Sequence, residues 1–337
     1  MKKFTLLIIG ICFMSQWASA QQDPMYTKYM FNSLAFNPAF AGSPEYLSVR
    51  LLYRQQWWAL EGAPTTQAFT IHSPFKERVG LGLSIQHDQI GATSTTSAYG
   101  SYAYRVQFGE GKLSMGLQAG MMNWRADWSR LRFKDPQSLD EAFMNTEPNK
   151  WLPNFGAGLF YYTPTFYVGA SVPNMIEHDL RDDVSGDLDA WAKTYRHFFF
   201  TAGAAFPVSG DMIIFKPSLL IKSVGLLSDF SSSNPSDPTD VGAPTEFDID
   251  ISFLFYEAFW VGSSFRSAFE ARQFGGSSSF DSVDIWASFY MINGFRIGAA
   301  YDYTLTKLQN HVQGTFEIML GYDFNYKQKK INTPRYF

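Results

Sequence analysis

The feature that most narrows what this 337-residue chain can become is a two-residue period in its hydrophobic pattern. In Val79–Gln86, the apolar Val79, Leu81, Leu83 and Ile85 alternate with Gly80, Gly82, Ser84 and Gln86. From Glu246 to Phe255, Phe247, Ile249, Ile251, Phe253 and Phe255 alternate with Glu246, Asp248, Asp250, Ser252 and Leu254. From Val312 to Asn325, Val312, Phe316, Ile318, Leu320, Tyr322 and Phe324 alternate with Gln313, Thr315, Glu317, Gly321 and Asp323. A strand turns successive side chains to opposite faces, so each segment reads as a strand with one apolar and one polar face.

Extended along the chain, this period predicts about fourteen strands. They span 46–58, 65–73, 79–87, 95–107, 112–125, 153–162 and 165–172, then 193–206, 211–222, 244–256, 258–266, 281–290, 293–303 and 312–325. Connections after even-numbered strands are short: Pro74–Arg78, Phe108–Gly111, Thr163-Pro164, Pro207–Gly210, the Glu257 region and Met291-Ile292. Those after odd-numbered strands are mostly longer: 126–152, 173–192, 223–243, 267–280 and 304–311. A β-sandwich or propeller also buries one face of each strand. Short turns at one end and long loops at the other instead mark an outer-membrane barrel. The fold class expected is therefore all-β: a transmembrane outer-membrane antiparallel β-barrel of about fourteen strands, with short periplasmic turns and longer extracellular loops. An even count puts both barrel ends of the chain at the periplasm. Strands of about ten to twelve residues, rising ~3.3 Å each and tilted ~40°, match the apolar band of that membrane.

Composition excludes the competing classes. Aromatics reach 18% and charged residues only 17%, the reverse of a disordered chain. A pI near 5.8 speaks against a polybasic nucleic-acid binder. After the N-terminus no apolar run approaches the ~20 residues of a helical span.

Met1–Ala20 reads as a secretory signal peptide: Lys2 and Lys3, the largely apolar Phe4–Met14, and an A-x-A site ending at Ala20, before Gln21. Ile11 stands before Cys12 where a lipoprotein signal has a small residue. Cleavage removes Lys2, Lys3 and the single Cys, leaving 25 basic and 31 acidic residues, a net charge of −6. No intrachain disulfide is then available, and burial and strand pairing must hold the fold.

A barrel turns its polar face inward, because Arg or Lys facing lipid at the midplane costs ~2–4 kcal/mol. Strand parity makes Lys216, Lys222, Glu246, Asp248, Asp250, Arg296, Asp302, Glu317 and Asp323 the candidate lumen-lining residues. They either pair across a packed lumen or line a conducting or substrate-guiding path. Trp57-Trp58, Trp124, Trp128, Trp151 and Tyr161-Tyr162 fit aromatic girdles near strand ends, or alternatively core and loop anchors. Tyr26–Pro44, punctuated by Pro, Asn and Gly yet rich in aromatics, is expected to fold at or into the periplasmic mouth and partly occlude the lumen. The chain thus divides into a signal peptide (1–20), an N-terminal plug-like segment (21–45), the barrel (46–326) and a C-terminal tail (327–337). That tail ends in Phe337, read as an assembly signal or a periplasmic contact.

Enzymatic chemistry finds little support. His72, His87, His178, His197 and His311 are isolated, and no zinc, nucleophile-elbow or P-loop motif occurs. The acidic stretches Glu177–Asp189 and Asp229–Asp240 lack the ligand spacing of an EF-hand and read as solvated loops. No catalytic residue, metal ligand, cofactor, nucleic acid or small-molecule substrate is expected.

Ordered motifs point further. Gln22-Asp23-Pro24, Tyr29-Met30-Phe31-Asn32 and Asn37-Pro38-Ala39-Phe40-Ala41-Gly42-Ser43 open the series. Arg54-Gln55-Gln56-Trp57, Gly62-Ala63-Pro64-Thr65-Thr66, Gly80-Leu81-Gly82-Leu83-Ser84, Asp88-Gln89-Ile90-Gly91 and Ser101-Tyr102-Ala103-Tyr104-Arg105 follow. Tyr167–Asn174, Lys216–Lys222, Tyr301-Asp302-Tyr303, Glu317–Tyr322 and Pro334-Arg335-Tyr336-Phe337 complete it. Together they resemble the PorP/SprF family of outer-membrane proteins of the Bacteroidetes type IX secretion system, over nearly the whole chain after the signal. Phe316 stands where a His commonly precedes the family's Glu, and the 126–152 loop looks longer or more divergent than usual. The resemblance implies a non-enzymatic outer-membrane role with other secretion components and secreted cargo, including gliding adhesins, or with the periplasmic ring of the machine. A passive channel or small-solute transporter is the alternative.

Overall fold

The first strand pairs with the last. A computed structural model describes residues 28–130, 148–178, 180, 194–210, 212–224, 245–268 and 280–324. Its strands are β1 (Ser48–Gln55), β2 (Thr65–Lys76), β3 (Val79–Ile90), β4 (Thr93–Phe108), β5 (Gly111–Ala126), β6 (Asn149–Tyr162), β7 (Phe166–Val172), β8 (His197–Ala204), β9 (Phe206–Pro207), β10 (Ile213–Val224), β11 (Glu246–Phe255), β12 (Phe259–Ala268), β13 (Phe280–Tyr290), β14 (Phe295–Thr304) and β15 (Thr315–Asp323). β8 and β9 both pair with β10 and form one stave broken at Ala205, so the barrel has fourteen staves. Each stave is antiparallel to its neighbours, and Ser48↔Asp323 through Gln55↔Phe316 closes the ring. Closure leaves no stave at a free edge, though β6 runs past β7 and pairs with it only over Ala157–Tyr162.

Burial follows the two-residue period. Along β13, Val283, Ile285 and Phe289 are exposed while Asp284, Trp286 and Ser288 are buried. Leu117, Leu159, Ile251 and Ile318 extend the exposed apolar face round the barrel. Such a continuous apolar surface suits hydrocarbon and would be a liability in water.

Two local readings are corrected. The β3–β4 connection, at the long-loop end, is only Gly91-Ala92, with Gly91 in the left-handed region (φ 56°) that such a tight turn needs. β4 and β5 correspondingly run sixteen residues each. Trp124 and Tyr162 are not girdle residues: both are buried, Trp124 against Ala126, Leu152 and Leu180, and Tyr162 against Phe160. Trp58 and Trp151 are exposed. Phe316, the family departure, packs against Tyr53 and Trp58.

The core is supplied largely by an inner segment, 28–44, lying within the staves. It is wound as three one-turn 3-10 helices, Tyr29–Phe31, Ser33–Ala35 and Pro38–Phe40. Pro38 starts the third turn, and the Asn37 side chain caps it by accepting from Ala39 N at 3.0 Å. The cleavage pair Ala20-Gln21, the 229–240 stretch and the 327–337 tail lie outside the described residues.

Candidate functional site

The inner segment bonds to the wall on nearly every side. Its upper end is at mid-barrel, where Lys28 meets Ser264 on β12 and Asp284 on β13. Its lower end is at the short-turn rim, where the Arg105 guanidinium donates to Gly42 O and Gly42 N donates to His72 Nδ1 at 3.2 Å. Between them, Thr70 Oγ1 donates to Asn32 Oδ1 at 2.7 Å, Ser171 Oγ to Phe36 O at 2.7 Å, and Ser114 Oγ to Ala39 O at 2.6 Å. Inward-pointing wall side chains thus satisfy carbonyls of these short turns that the turns themselves leave over, as buried polar groups require.

Small residues let the two surfaces meet. A Cβ added at Gly116 of β5 would overlap Ala39 N and Cα; one at Gly80 of β3 would overlap Ala41 O. Gly116→Val should therefore displace the inner segment. The obstructing atoms are backbone and cannot swing away, and overpacking of this kind costs ~1–3 kcal/mol or more. Limited proteolysis checks this: cleavage within 28–44 should accelerate while the ladder keeps the barrel folded on an unheated gel.

Apolar contacts fill the centre. Phe31 sits edge-on to Trp260 and Trp286, with ring centroids 4.9 and 5.1 Å away. Leu34, Ala39, Phe40 and Ala41 pack with Phe160, Tyr162 and Tyr167 on the opposite side.

Eight of the nine sequence-predicted residues are buried: Lys216, Lys222, Asp248, Asp250, Arg296, Asp302, Glu317 and Asp323. Glu246 is partly exposed and lies 3.8 Å from Lys222 Nζ. Lys28 joins two of the nine: its Nζ is 3.6 Å from Asp250 Oδ2 and its backbone N–H donates to Glu317 Oε1 at 3.2 Å, while its Nζ also lies 2.5 Å from Asp284 Oδ1. Arg54 Nη1 reaches Asp302 at 3.2 Å and Glu317 at 3.4 Å. Arg266 grips Asp248 with two bonds of 2.8 and 2.9 Å, and Arg50 grips Asp323 with two of 2.6 and 3.1 Å. Tyr290 Oη also donates to Asp323. Paired donors of this fork geometry are what guanidinium–carboxylate contacts favour.

Lys216 and Arg296 are held differently, over aromatic faces. Lys216 Nζ is 3.3 Å from the Trp260 centroid, and the Arg296 guanidinium is 4.1 Å from that of Phe31. Cation–π attraction of this sort strengthens where water is excluded. Lys28, Arg50, Arg54, Arg266 and Asp284 were missed by sequence reasoning. The last four carry the same parity signal as the nine candidates, alternating with Leu51, Tyr53, Phe265 and Ile285. Among the described residues no three His, Asp or Glu side chains are grouped to hold a metal ion.

The chain is loosely similar to the Ralstonia pickettii toluene transporter TbuX (10% identity, TM-score 0.47, 88% of this chain and 92% of that one). Similar values hold for the CymD monoaromatic hydrocarbon channel (11%, 0.47, 89% and 92%). The Acinetobacter baumannii outer membrane protein Omp33 is a third (9%, 0.43, 84% and 100%). Likenesses this distant carry nothing about solutes. No curated protein matches the sequence. Residues 18–322 match the family described as type IX secretion system membrane protein PorP/SprF, a span that takes in every stave but for the last residue of β15. With the ring closed and its outer face apolar, the chain is an outer-membrane β-barrel belonging to the PorP/SprF family of type IX secretion system membrane proteins.

Proposed function

We propose that the barrel serves type IX secretion by protein–protein contact at the outer membrane and not as an open conduit. In this reading it acts in export or surface display of cargo, gliding adhesins included, or in anchoring the periplasmic ring. The observation that supports it is the inner segment, bonded to opposite walls from mid-barrel to the short-turn rim. A passive channel or small-solute transporter, the runner-up, requires that segment to leave. The nine predicted charged residues are then structural members of a packed interior that keeps the barrel rigid for its partners.

Deleting the gene and assaying surface cargo is the direct test. At least one type IX substrate should be lost from the surface, and unchanged secretion of every substrate would overturn the proposal. The intact purified protein should also pass little steady current in a planar bilayer. A stable open conductance would transfer the case to the channel.

A further inference from the structure

The interior is unevenly used. On the side of β11–β15 and β1, ion pairs and aromatic rings close the wall onto the inner segment. Between β3–β5 and the β8–β10 side a cavity of about 360 Å³ remains, reaching from Phe36 of the inner segment up to Thr93 at the long-loop rim. That volume lies within the ~300–1,000 Å³ of small-molecule sites.

The lining is chemically distinctive. Among the described residues it contains no Lys or Arg, and its one carboxylate there, Asp88, already accepts from Thr66 Oγ1 at 2.5 Å. The polar groups are mostly neutral hydroxyls and amides, such as Thr95, Ser97, Gln86 and Asn174, set beside the rings of Tyr99 and Trp124. His197 also lines it, its Nδ1 2.9 Å from Tyr195 O.

Each feature excludes a class of ligand. A phosphate or carboxylate calls for Arg or Lys, and a hard cation calls for several carboxylates. Strand addition, one way to capture an extended peptide, needs a free edge strand, and every stave of the closed ring has a neighbour on both sides. What fits is a molecule with many uncharged hydroxyls and an apolar flank. Hydroxyl and amide side chains both donate and accept, and aromatic faces take up C–H surface. We propose that this cavity binds a neutral saccharide of one or two rings. The inference goes beyond the secretion role and does not depend on it.

The test uses the full chain in a detergent without a sugar headgroup, titrated with maltose and with cellobiose and followed by saturation-transfer NMR. Sugar ring protons should be saturated by the protein for at least one of the two. Thr95→Val/Ser97→Ala, which removes two hydroxyls at nearly constant volume, should weaken that binding roughly tenfold or more. Ser97→Trp, which fills the space, should abolish it. Unchanged heat-dependent gel migration verifies that each variant is folded. Absence of saturation transfer with both sugars, or binding that neither variant alters, would overturn the proposal. So would stronger competition from a neutral Ser/Thr/Asn peptide than from either sugar, which would assign the cavity to polypeptide.

Discussion

Removing residues 28–44 should convert a quiet barrel into a conducting one, raising bilayer conductance roughly tenfold or more over the intact protein. The reason is width. Barrels of about eight strands are filled by their own wall side chains, whereas those of 16–18 leave an aqueous channel. Fourteen staves lie near the upper figure, and here Phe31, Leu34, Phe36 and Phe40 of the inner segment supply the filling. The wall should survive the deletion. Its ladders run stave to stave, from β1–β2 round to β15–β1, and none passes through the inner segment. Carboxylates left without Lys28 would then face water entering the lumen, which lowers the cost of exposing them. Single-channel recording with a heat-shifted gel as folding control decides the matter. Unaltered conductance in a folded deletion variant would mean that something other than this segment blocks the lumen.

How far the sequence carried depends on which interaction fixed each feature. The staves were legible because a wall with one apolar face must alternate at every step, and the alternation in Glu246–Phe255 or Thr315–Asp323 leaves no other period open. The inward charges were legible for the same reason, but only as a face. Parity says that Glu317 points in; it does not say that Glu317 meets Arg54 and the backbone of Lys28, 289 positions away. Lys28 itself sits in a turn-rich stretch with no period, so nothing local marks it. Gly80 and Gly116 read as neutral small residues of the polar face. Their actual constraint is a backbone pressed against them, which only the folded inner segment supplies. Trp124 and Tyr162 misled because an aromatic ring suits either a membrane interface or a packed interior, and its type alone does not choose.

The largest single-residue effect should come from Lys28. Replacing it by Met removes the cation from between Asp284 and Asp250, and all three side chains are at most 1% exposed. A buried pair adds little net stability when complete, because desolvation offsets its attraction. Breaking one by deleting a partner strands the other charge and costs ~3–5 kcal/mol. Lys28→Met should therefore lower the unfolding midpoint and loosen the inner segment. Lys28→Met/Asp284→Asn should recover part of the loss, since one of the two carboxylates loses its charge while Asp250 keeps its bonds from Ser264 and Trp286, and the double-mutant cycle should show coupling of ~1–3 kcal/mol. The Lys112–Glu45 pair provides the contrast. It has a similar separation, 2.7 Å, but both side chains are about one-third exposed (32% and 34%), so Lys112→Met should cost no more than ~1 kcal/mol. The comparison isolates burial as the variable, because charge type and distance are nearly matched. If Lys28→Met proves as mild as Lys112→Met, water already reaches Asp284 in the native barrel. The inner segment would then be held chiefly by its apolar contacts and its backbone hydrogen bonds to Ser114, Ser171 and Arg105.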